Sequence, residues 1–234
     1  MKPQIEVAGI DCLMLRLFEE IDEAHMPWLL AAASRVREAF GAALIDLVPS
    51  YTTLLIHYDV MLLDDRQARQ RIADLLHELQ PDAGGQVREL EIPVWYDPSV
   101  GPELRGLGER SGLGLAGVIA RHSARTYTVF ALGFAPGFAF MGLIDECLSS
   151  PRLQTPRKQV PAGSLGIAER QTAIYPLVSP GGWNLIGRSP TRLFDLALDG
   201  YSLLLPGDRV CFKPVEHAEF VRLGGDDTPF EDAA

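Results

Sequence analysis

Apolar residues recur at strand and helix spacing in the first third of the chain and predict a compact α/β segment. The apolar run at 12–18 predicts a strand, and apolar positions with helical spacing follow at 29–40 and 68–79. Two further strands, at 43–48 and 53–58, lie between the helices, with Pro49-Ser50 as their turn. The order strand, helix, strand, strand, helix predicts a small split βαβ layer.

Residues that start and stop helices stand at the ends of both predicted helices. Asp22 and Asp64 are suitable N-caps, whereas Gly41 and Pro81 stand where a helix stops. The sequence Asp-Ala-Gly-Gly at 82–85 predicts a linker. We therefore expect a first domain at residues 1–84.

Residues 86–225 carry mostly strand and turn patterns, so the predicted fold class is α+β. A strand at 91–96 opens this second domain, and short glycine-containing helices follow at 102–110 and 115–121. From the strand at 125–132 onward the pattern predicts strands and turns alone, at 172–177, 183–188, 203–205 and 210–214.

Charge and composition narrow the classes of partner. The formal net charge is −10 and the pI about 4.9. No basic patch is available for phosphates, which argues against nucleic acid and against an anionic membrane surface. The longest purely apolar run, 28–33, is too short to span a bilayer, and no signal-peptide pattern is visible, so we expect a cytoplasmic protein. Residues 226–234 are acidic and predict a frayed tail.

The cysteines predict no metal site. Cys12, Cys147 and Cys211 are scattered without the paired spacing of a zinc or redox motif. Cys12 and Cys211 lie in apolar runs and are interpreted as small core residues.

Residues 133–190 hold eight Gly and seven Pro, interleaved with aromatic residues that a disordered linker would lack. This mixture predicts short strands and tight turns that present backbone N–H groups to a ligand. A turn-rich barrel without a site is the alternative.

Several side chains in and next to this stretch are candidates for chemistry. His122 ends a predicted helix and is either a proton carrier or a helix-end residue that bonds a free carbonyl. Arg157 and Arg188 suit bidentate capture of a carboxylate or phosphate, with ordinary surface arginines as the alternative. Ser164 lacks the flanking pattern of a nucleophile elbow and is interpreted as a turn residue.

Apolar and neutral polar residues of the stretch could complete a pocket. Aromatic side chains such as Phe134, Phe138, Tyr175 and Trp183 could form its walls, and a packed core is the equal alternative. Gln171 and Thr172 offer neutral hydrogen bonds suited to an amide or lactam.

Three phrases in this stretch carry a family resemblance: GFAPGF at 133–138, VPAGSLGI at 160–167 and YPLVSPGGW at 175–183. They closely resemble the family variously called the B subunit of 5-oxoprolinase, allophanate hydrolase subunit 1 and KipI-type kinase inhibitor. The same module resembles one part of the carboxyltransferase region of urea carboxylase. The resemblance extends more weakly over nearly the whole chain and implies that the second domain is a cyclophilin-like β-barrel.

The resemblance implies a subunit of an ATP-dependent 5-oxoprolinase, inactive alone, which acts with a homologous C subunit and with an A subunit to hydrolyse 5-oxo-L-proline to L-glutamate. No phosphate-binding loop is visible here, so ATP would bind in the complex. The alternatives are a carboxyltransferase or allophanate hydrolase subunit of urea degradation and an inhibitor of a sensor histidine kinase. The implied site is one cleft that faces the C subunit and is lined by His122, Arg157 and Arg188, with His122 and Arg188 as catalytic residues. Its substrate-binding residues are Arg157, Phe134, Pro136, Gly137, Gln171, Thr172, Tyr175, Gly182 and Trp183.

One departure from the family bears on this site. Ala168-Glu169-Arg170 stands where the family has a glycine-rich turn, and Ala173 stands where Gly is common. Bulkier residues are expected to narrow a cleft and to disfavour positive φ.

Overall fold

The computed structural model describes residues 2–81 and 87–231. Its contacts divide the chain into two compact units, Met1–Val87 and Arg88–Ala234. The predicted linker at 82–85 lies outside the described residues, and the separability of the segments 1–84 and 86–225 stays a prediction. Within the described ranges, no helix has the length and apolar character needed to cross a membrane.

The first unit is a four-stranded antiparallel sheet with two helices. The elements are β1 Gln4–Val7, β2 Cys12–Arg16, α1 Met26–Phe40, β3 Leu44–Ser50, β4 Thr53–Tyr58 and α2 Asp65–His77. The strands follow the order β1-β2-β4-β3, so β4 lies between β2 and β3, the two strands that α1 connects.

Local sequence explains most boundaries in this unit. The Asp64 side chain accepts a hydrogen bond from the backbone N–H of Gln67, forming a capping box at the start of α2. Gly41 ends α1 at a φ of 51°. The predicted turn at Pro49-Ser50 is wrong, because both residues belong to β3 and the chain turns at Tyr51 with a φ of 50°.

The second unit is built on a seven-stranded sheet with a separate pair of strands. The elements are β5 Glu89–Val94, α3 Leu104–Ser111, α4 Gly114–Ser123, β6 Thr126–Leu132, β7 Ala139–Gly142, β8 Arg157–Val160, β9 Ser164–Ala168, β10 Gln171–Ile174, β11 Ser179–Gly181, β12 Asn184–Arg188, β13 Arg209–Pro214 and α5 His217–Arg222. The sheet has the order β12-β9-β10-β7-β6-β13-β5, and β8 pairs with β11. The β5–β13 pair is parallel, and the other neighbours in the sheet are antiparallel.

The two edges of this sheet meet at one bridge. The N–H of Trp95, just after β5, donates to the carbonyl of Arg188 at 2.8 Å, and the N–H of Arg188 donates back to Trp95 at 2.9 Å. A Cβ on Gly187 would lie 2.7 Å from the Trp95 carbonyl oxygen, so this approach requires glycine. The sheet is therefore a curled, partly closed barrel.

Side chains on the two faces of the curled sheet form separate cores. Leu165 and Ile167 of β9 and Ile174 of β10 belong to the inner core, whereas Ala173 of β10 points to the opposite face, as strand alternation requires. We call the cluster on that opposite face the outer aromatic layer: Phe138, Val160, Ala168, Ala173, Tyr175, Trp183 and Leu185.

In this unit one predicted strand is absent and one helix was not predicted. Residues 203–205 form no strand; nearby, Ser202 makes a single isolated bridge to Phe194. Helix α5 was missed because six residues with one buried side chain, Phe220, are too short to show helical periodicity.

The acidic tail does not fray between Asp226 and Phe230. Nη1 of Arg188 donates to the carbonyls of Asp226 at 2.7 Å and of Thr228 at 2.8 Å. The N–H of Phe230 donates to the carbonyl of Ser99 at 2.6 Å, and its ring packs on the outer aromatic layer, 4.9 Å from the Arg157 guanidinium. These tail residues are part of the fold, contrary to the prediction.

We expect Phe230→Ala to lower the free energy of unfolding by about 1–2 kcal/mol, because it removes a half-buried ring and a cation–π contact. Urea unfolding of the full chain measures the change. Glu231→Ala alters the next, exposed residue and should leave stability unchanged. Equal stability of both variants and the unsubstituted chain would contradict the docked tail.

Candidate functional site

His122 lies in the barrel interior with no exposed surface, near the end of α4. The Tyr96 hydroxyl contacts its Nδ1 at 2.8 Å, and Thr172 Oγ1 contacts its Nε2 at 3.0 Å. The Thr172 hydroxyl also lies 3.2 Å from the carbonyl of Gly166, to which it donates. Thr172 Oγ1 therefore accepts a hydrogen bond from Nε2–H, and the Tyr96 hydroxyl donates one to Nδ1. Both nitrogens of a neutral imidazole then have hydrogen-bond partners.

Burial holds this imidazole neutral. Desolvation lowers the pKa of His122 from 6.5 to about 3. The ring also stacks on Phe212, with centroids 5.0 Å apart. The prediction that His122 lines an open cleft is wrong, and Thr172, predicted to bind substrate, is its buried partner.

Arg188 is also buried, with 1% of its surface exposed, but on the other face of the sheet. It pairs directly with Ser164 of β9, whose neighbour Leu165 points into the inner core, so Arg188 and Ser164 point away from that core. The predicted cleft shared by His122 and Arg188 is therefore not formed. Ser164 is wholly buried in a strand, in neither a turn nor a nucleophile elbow.

The Arg188 guanidinium has unused donors. Nη1 is taken by the two tail carbonyls, but Nε and Nη2 have no acceptor among the described residues, and neither has the Ser164 hydroxyl. Burial lowers the pKa of Arg188, while the charges of Asp226 and Asp227 act in the opposite direction. Nε and Nη2 form one edge of the guanidinium, which is suited to two parallel hydrogen bonds with a carboxylate.

Arg157 is held by protein groups. Its Nη2 lies 2.5 Å from Glu103 Oε1, and its Nη1 donates to the Trp183 carbonyl at 3.3 Å. Oε2 of Glu103 accepts the N–H of Leu185 at 2.8 Å. Glu103 thus links Arg157 of β8 to Leu185 of β12. The predicted ligand-binding role of Arg157 has no support in these contacts.

Other predicted substrate-binding residues are parts of the packed structure. Tyr175 and Trp183 are buried in the outer aromatic layer. The carbonyl of Gly182 accepts the N–H of Leu153 at 2.7 Å, and Gln171 pairs with Gly142 on β7. For Tyr175 and Trp183, the structure favours a packed core over the wall of a ligand pocket.

Phe134, Pro136 and Gly137 do lie together, in the wall of an open pocket of about 440 Å³. Two loops form this aromatic pocket, and its lining residues are Leu132, Gly133, Phe134, Ala135, Pro136, Gly137, Phe194, Gly200, Tyr201 and Ser202. The sequence interpretation missed the second loop, where the adjacent Asp199-Gly200 marked a turn.

Gly137 holds the two loops of the aromatic pocket together. Its φ is 79°, and a Cβ there would lie 2.9 Å from the Phe194 Cβ and 3.0 Å from the Leu193 carbonyl oxygen. A larger residue at this position would push the loops apart.

Two aromatic residues of the pocket have left-handed backbones. Phe134 has a φ of 68° and is 64% exposed, and Tyr201 has a φ of 63° and is 56% exposed. Such strain in bulky residues concentrates at functional sites, and exposed apolar clusters mark contact surfaces. Because the lining includes no charged side chain, the aromatic pocket suits an apolar surface rather than catalysis of its own.

The substituted turn at 168–170 keeps a tight hairpin. Glu169 adopts a φ of 50°, and its N–H donates to the Ser150 carbonyl at 2.6 Å. Positive φ is thus adopted here by a residue larger than glycine, although such residues were expected to disfavour it.

His122 should make stability depend on pH. In the unfolded chain the His122 ring is protonated below about pH 6.5, whereas in the folded chain it stays neutral down to about pH 3. The unfolded state therefore binds more protons between these pH values, and the free energy of unfolding falls as the pH drops through this range. We expect this histidine to add up to about 1.4 kcal/mol per pH unit to the slope of the unfolding free energy. Urea unfolding across the range should show a shallower slope for His122→Gln than for His77→Gln, whose side chain is exposed. Equal slopes would contradict the buried neutral ring.

Comparisons with known proteins agree on the family. The family model of the carboxyltransferase domain, subdomain C and D, matches residues 3–204. The B subunit of 5-oxoprolinase from Bacillus subtilis (strain 168) is 34% identical over 227 residues, which cover 93% of this chain and 95% of that protein. The protein of the same name from Escherichia coli O157:H7 is 40% identical over 211 residues, 87% of this chain and 95% of that protein.

Solved structures share the fold. The crystal structure of TTHA0988 matches with a TM-score of 0.76 at 40% identity over 88% of this chain, which spans only 40% of that longer chain. The Kluyveromyces lactis urea amidolyase matches with a TM-score of 0.78 over 97% of this chain and 16% of that chain, at 17% identity, which shows the fold alone. By its family match and its relatives, the chain belongs to the family of the carboxyltransferase domain, subdomain C and D.

Proposed function

We propose that this chain is the B subunit of a cytoplasmic, ATP-dependent 5-oxoprolinase that acts with a homologous C subunit and with an A subunit to hydrolyse 5-oxo-L-proline to L-glutamate. Relatives that carry the name of the 5-oxoprolinase B subunit, aligned over most of the chain, support this role. A lettered subunit name itself implies other subunits.

The observation that carries the proposal is the unused edge of Arg188. A guanidinium withdrawn from water is unfavourable unless its donors are satisfied, and Nε and Nη2 have no acceptor among the described residues. The substrate supplies a planar carboxylate, which matches that edge with two charge-assisted hydrogen bonds. Arg188 would therefore bind and orient the substrate beneath the tail segment at 226–228.

The aromatic pocket is the proposed contact surface for the C subunit. Phe134 and Tyr201 expose aromatic rings on two loops, a composition typical of interface cores. In the proposed complex, the partner would cover this surface and contribute the charged groups that the aromatic pocket lacks.

Arg157 and Arg188 offer no open phosphate site. Nη2 of Arg157 is paired with Glu103, and Arg188 offers a single buried edge. This supports the proposal that ATP binds in the complex, on groups that the partner subunits supply.

The second candidate is a carboxyltransferase-type subunit of urea degradation. The family model and the shared fold with the urea amidolyase favour it. The buried Arg188 edge would there receive a carboxylated intermediate instead of 5-oxo-L-proline.

We also infer finer fold classes for the two units. The position of β4 between β2 and β3 supports a split βαβ layer for the first. Closure of the sheet at Trp95 and Arg188 supports a cyclophilin-like barrel for the second.

Reconstitution tests the reaction. The purified chain is mixed with the A and C subunits, ATP and 5-oxo-L-proline, and glutamate is measured. We expect glutamate from the full set and none when this chain is omitted. No glutamate from the full set, while an active set from a relative serves as control, rejects the proposal.

In the same assay, we expect Arg188→Ala to lower kcat/KM roughly 30- to 1,000-fold, because about 2–4 kcal/mol of charge-assisted binding is lost. Arg188→Lys keeps the charge but lacks the planar fork, and should recover little activity. Arg222→Ala, on the surface helix α5, is the matched control. A melting curve separates lost activity from lost fold, and normal kcat/KM in folded Arg188→Ala would refute the assignment.

Partner binding tests the aromatic pocket. Phe134→Asp places a charge on the proposed interface, and Asp tolerates the left-handed backbone at this position. We expect affinity for the C subunit, measured by calorimetry, to fall at least about tenfold. Met61→Asp changes an even more exposed apolar residue of the first unit and should bind normally. Unchanged affinity of Phe134→Asp would place the interface elsewhere.

A further inference from the structure

Strand pairing in the first unit brings together three metal-ligating side chains from distant parts of the sequence. Cys12 of β2 lies directly opposite His57 of β4, and Asp11 precedes Cys12. Leu13 and Ile56, the neighbours of this pair, are buried, so strand alternation places Cys12 and His57 on the opposite, accessible face of the sheet.

The three donor atoms are close to a metal-binding arrangement. Nε2 of His57 lies 3.0 Å from Asp11 Oδ2, and Cys12 Sγ lies 3.4 Å from Asp11 Oδ1. One ligand atom from each of the three residues fits within 4.8 Å of the others. Bond lengths of about 2.0–2.3 Å in a tetrahedral zinc site put neighbouring donors about 3.3–3.6 Å apart, so the three donors would need to approach one another by at most about 1.5 Å.

Backbone hydrogen bonds hold two of the ligands in place. The N–H of Tyr58 donates to the Asp11 carbonyl at 2.9 Å, and the N–H groups of Ala8 and Gly9 donate to the Cys12 carbonyl at 3.0 and 3.1 Å. The main chain at these two ligands is therefore already ordered before an ion binds, and only side chains need to adjust.

The cluster is open to solvent on one side. The side chains of His57 and Asp11 are 33% and 47% exposed. A Cβ on Gly9 would lie 3.6 Å from Asp11 Oδ1 and 3.8 Å from Cys12 Sγ, so glycine leaves space beside the donors.

We propose that Asp11, Cys12 and His57 bind one Zn²⁺ through three protein ligands, with water in the fourth position. A carboxylate, an imidazole and a thiolate together match zinc, whereas magnesium and calcium prefer oxygen ligands alone. On binding, the Cys12 thiol loses its proton to solvent, the imidazole binds as the neutral ring, and no oxidation occurs. The cysteine spacing predicted no metal site because this cluster has one cysteine and depends on pairing between β2 and β4.

Cobalt(II) titration of the metal-free full chain tests the proposal. Co²⁺ occupies tetrahedral zinc sites, and its spectrum reports both geometry and thiolate ligation. We expect saturation at one equivalent, intense visible bands of tetrahedral Co²⁺ and a thiolate charge-transfer band in the near ultraviolet. One equivalent of Zn²⁺ should remove all of these bands.

Matched variants locate the site. Cys12→Ser should lose the charge-transfer band, and His57→Gln should lose stoichiometric binding, whereas Cys147→Ser, which changes an exposed cysteine of the second unit, should behave as the unsubstituted chain. Circular dichroism confirms that each variant is folded. Absence of stoichiometric binding by the unsubstituted chain overturns the proposal and leaves His57 and Asp11 as a surface ion pair. Tetrahedral bands that persist in Cys12→Ser with the charge-transfer band intact overturn it equally.

Discussion

Closure of the curled sheet at Trp95 and Arg188 is the constraint on which the second unit depends. Two backbone hydrogen bonds join strands at opposite edges of a seven-stranded sheet, so one face becomes an enclosed interior. His122 can be buried in that interior away from water because Tyr96 and Thr172 form hydrogen bonds with its two ring nitrogens. Arg188 lies on the opposite, outer face of the sheet, and there the tail segment covers its side chain.

Local signals in the sequence predicted the elements with strong periodicity or clear caps. Strand β4 and the start of α2 were predicted correctly, since Asp64 and the regular apolar spacing specify them. The sequence pattern indicated the wrong position for the turn at Pro49-Ser50, predicted a strand at 203–205 that does not form, and did not indicate helix α5. Tertiary contacts determine the structure of such short segments, and composition does not reveal those contacts.

The candidate site was harder to predict than the fold. Sequence motifs identified Phe134, Pro136 and Gly137, which do line one pocket. The motifs did not show which face of the sheet each strand residue occupies, and residues adjacent in a strand point to opposite faces. Thr172 consequently joins His122 inside, while Ser164 and Arg188 lie outside. The contribution of Tyr201 depends on a second loop far along the chain, whose close approach to Gly137 at Leu193 and Phe194 only the folded chain reveals.

The covering of Arg188 by the tail has a consequence for how this protein can vary. Its acceptors, at Asp226 and Thr228, are main-chain carbonyls, which every amino acid possesses. Exchanging the side chains there preserves both acceptors, whereas inserting or deleting one residue between Arg222 and Phe230 moves both carbonyls and displaces the docked ring. The spacing of this segment, rather than its composition, is what natural variants and engineered fusions must keep.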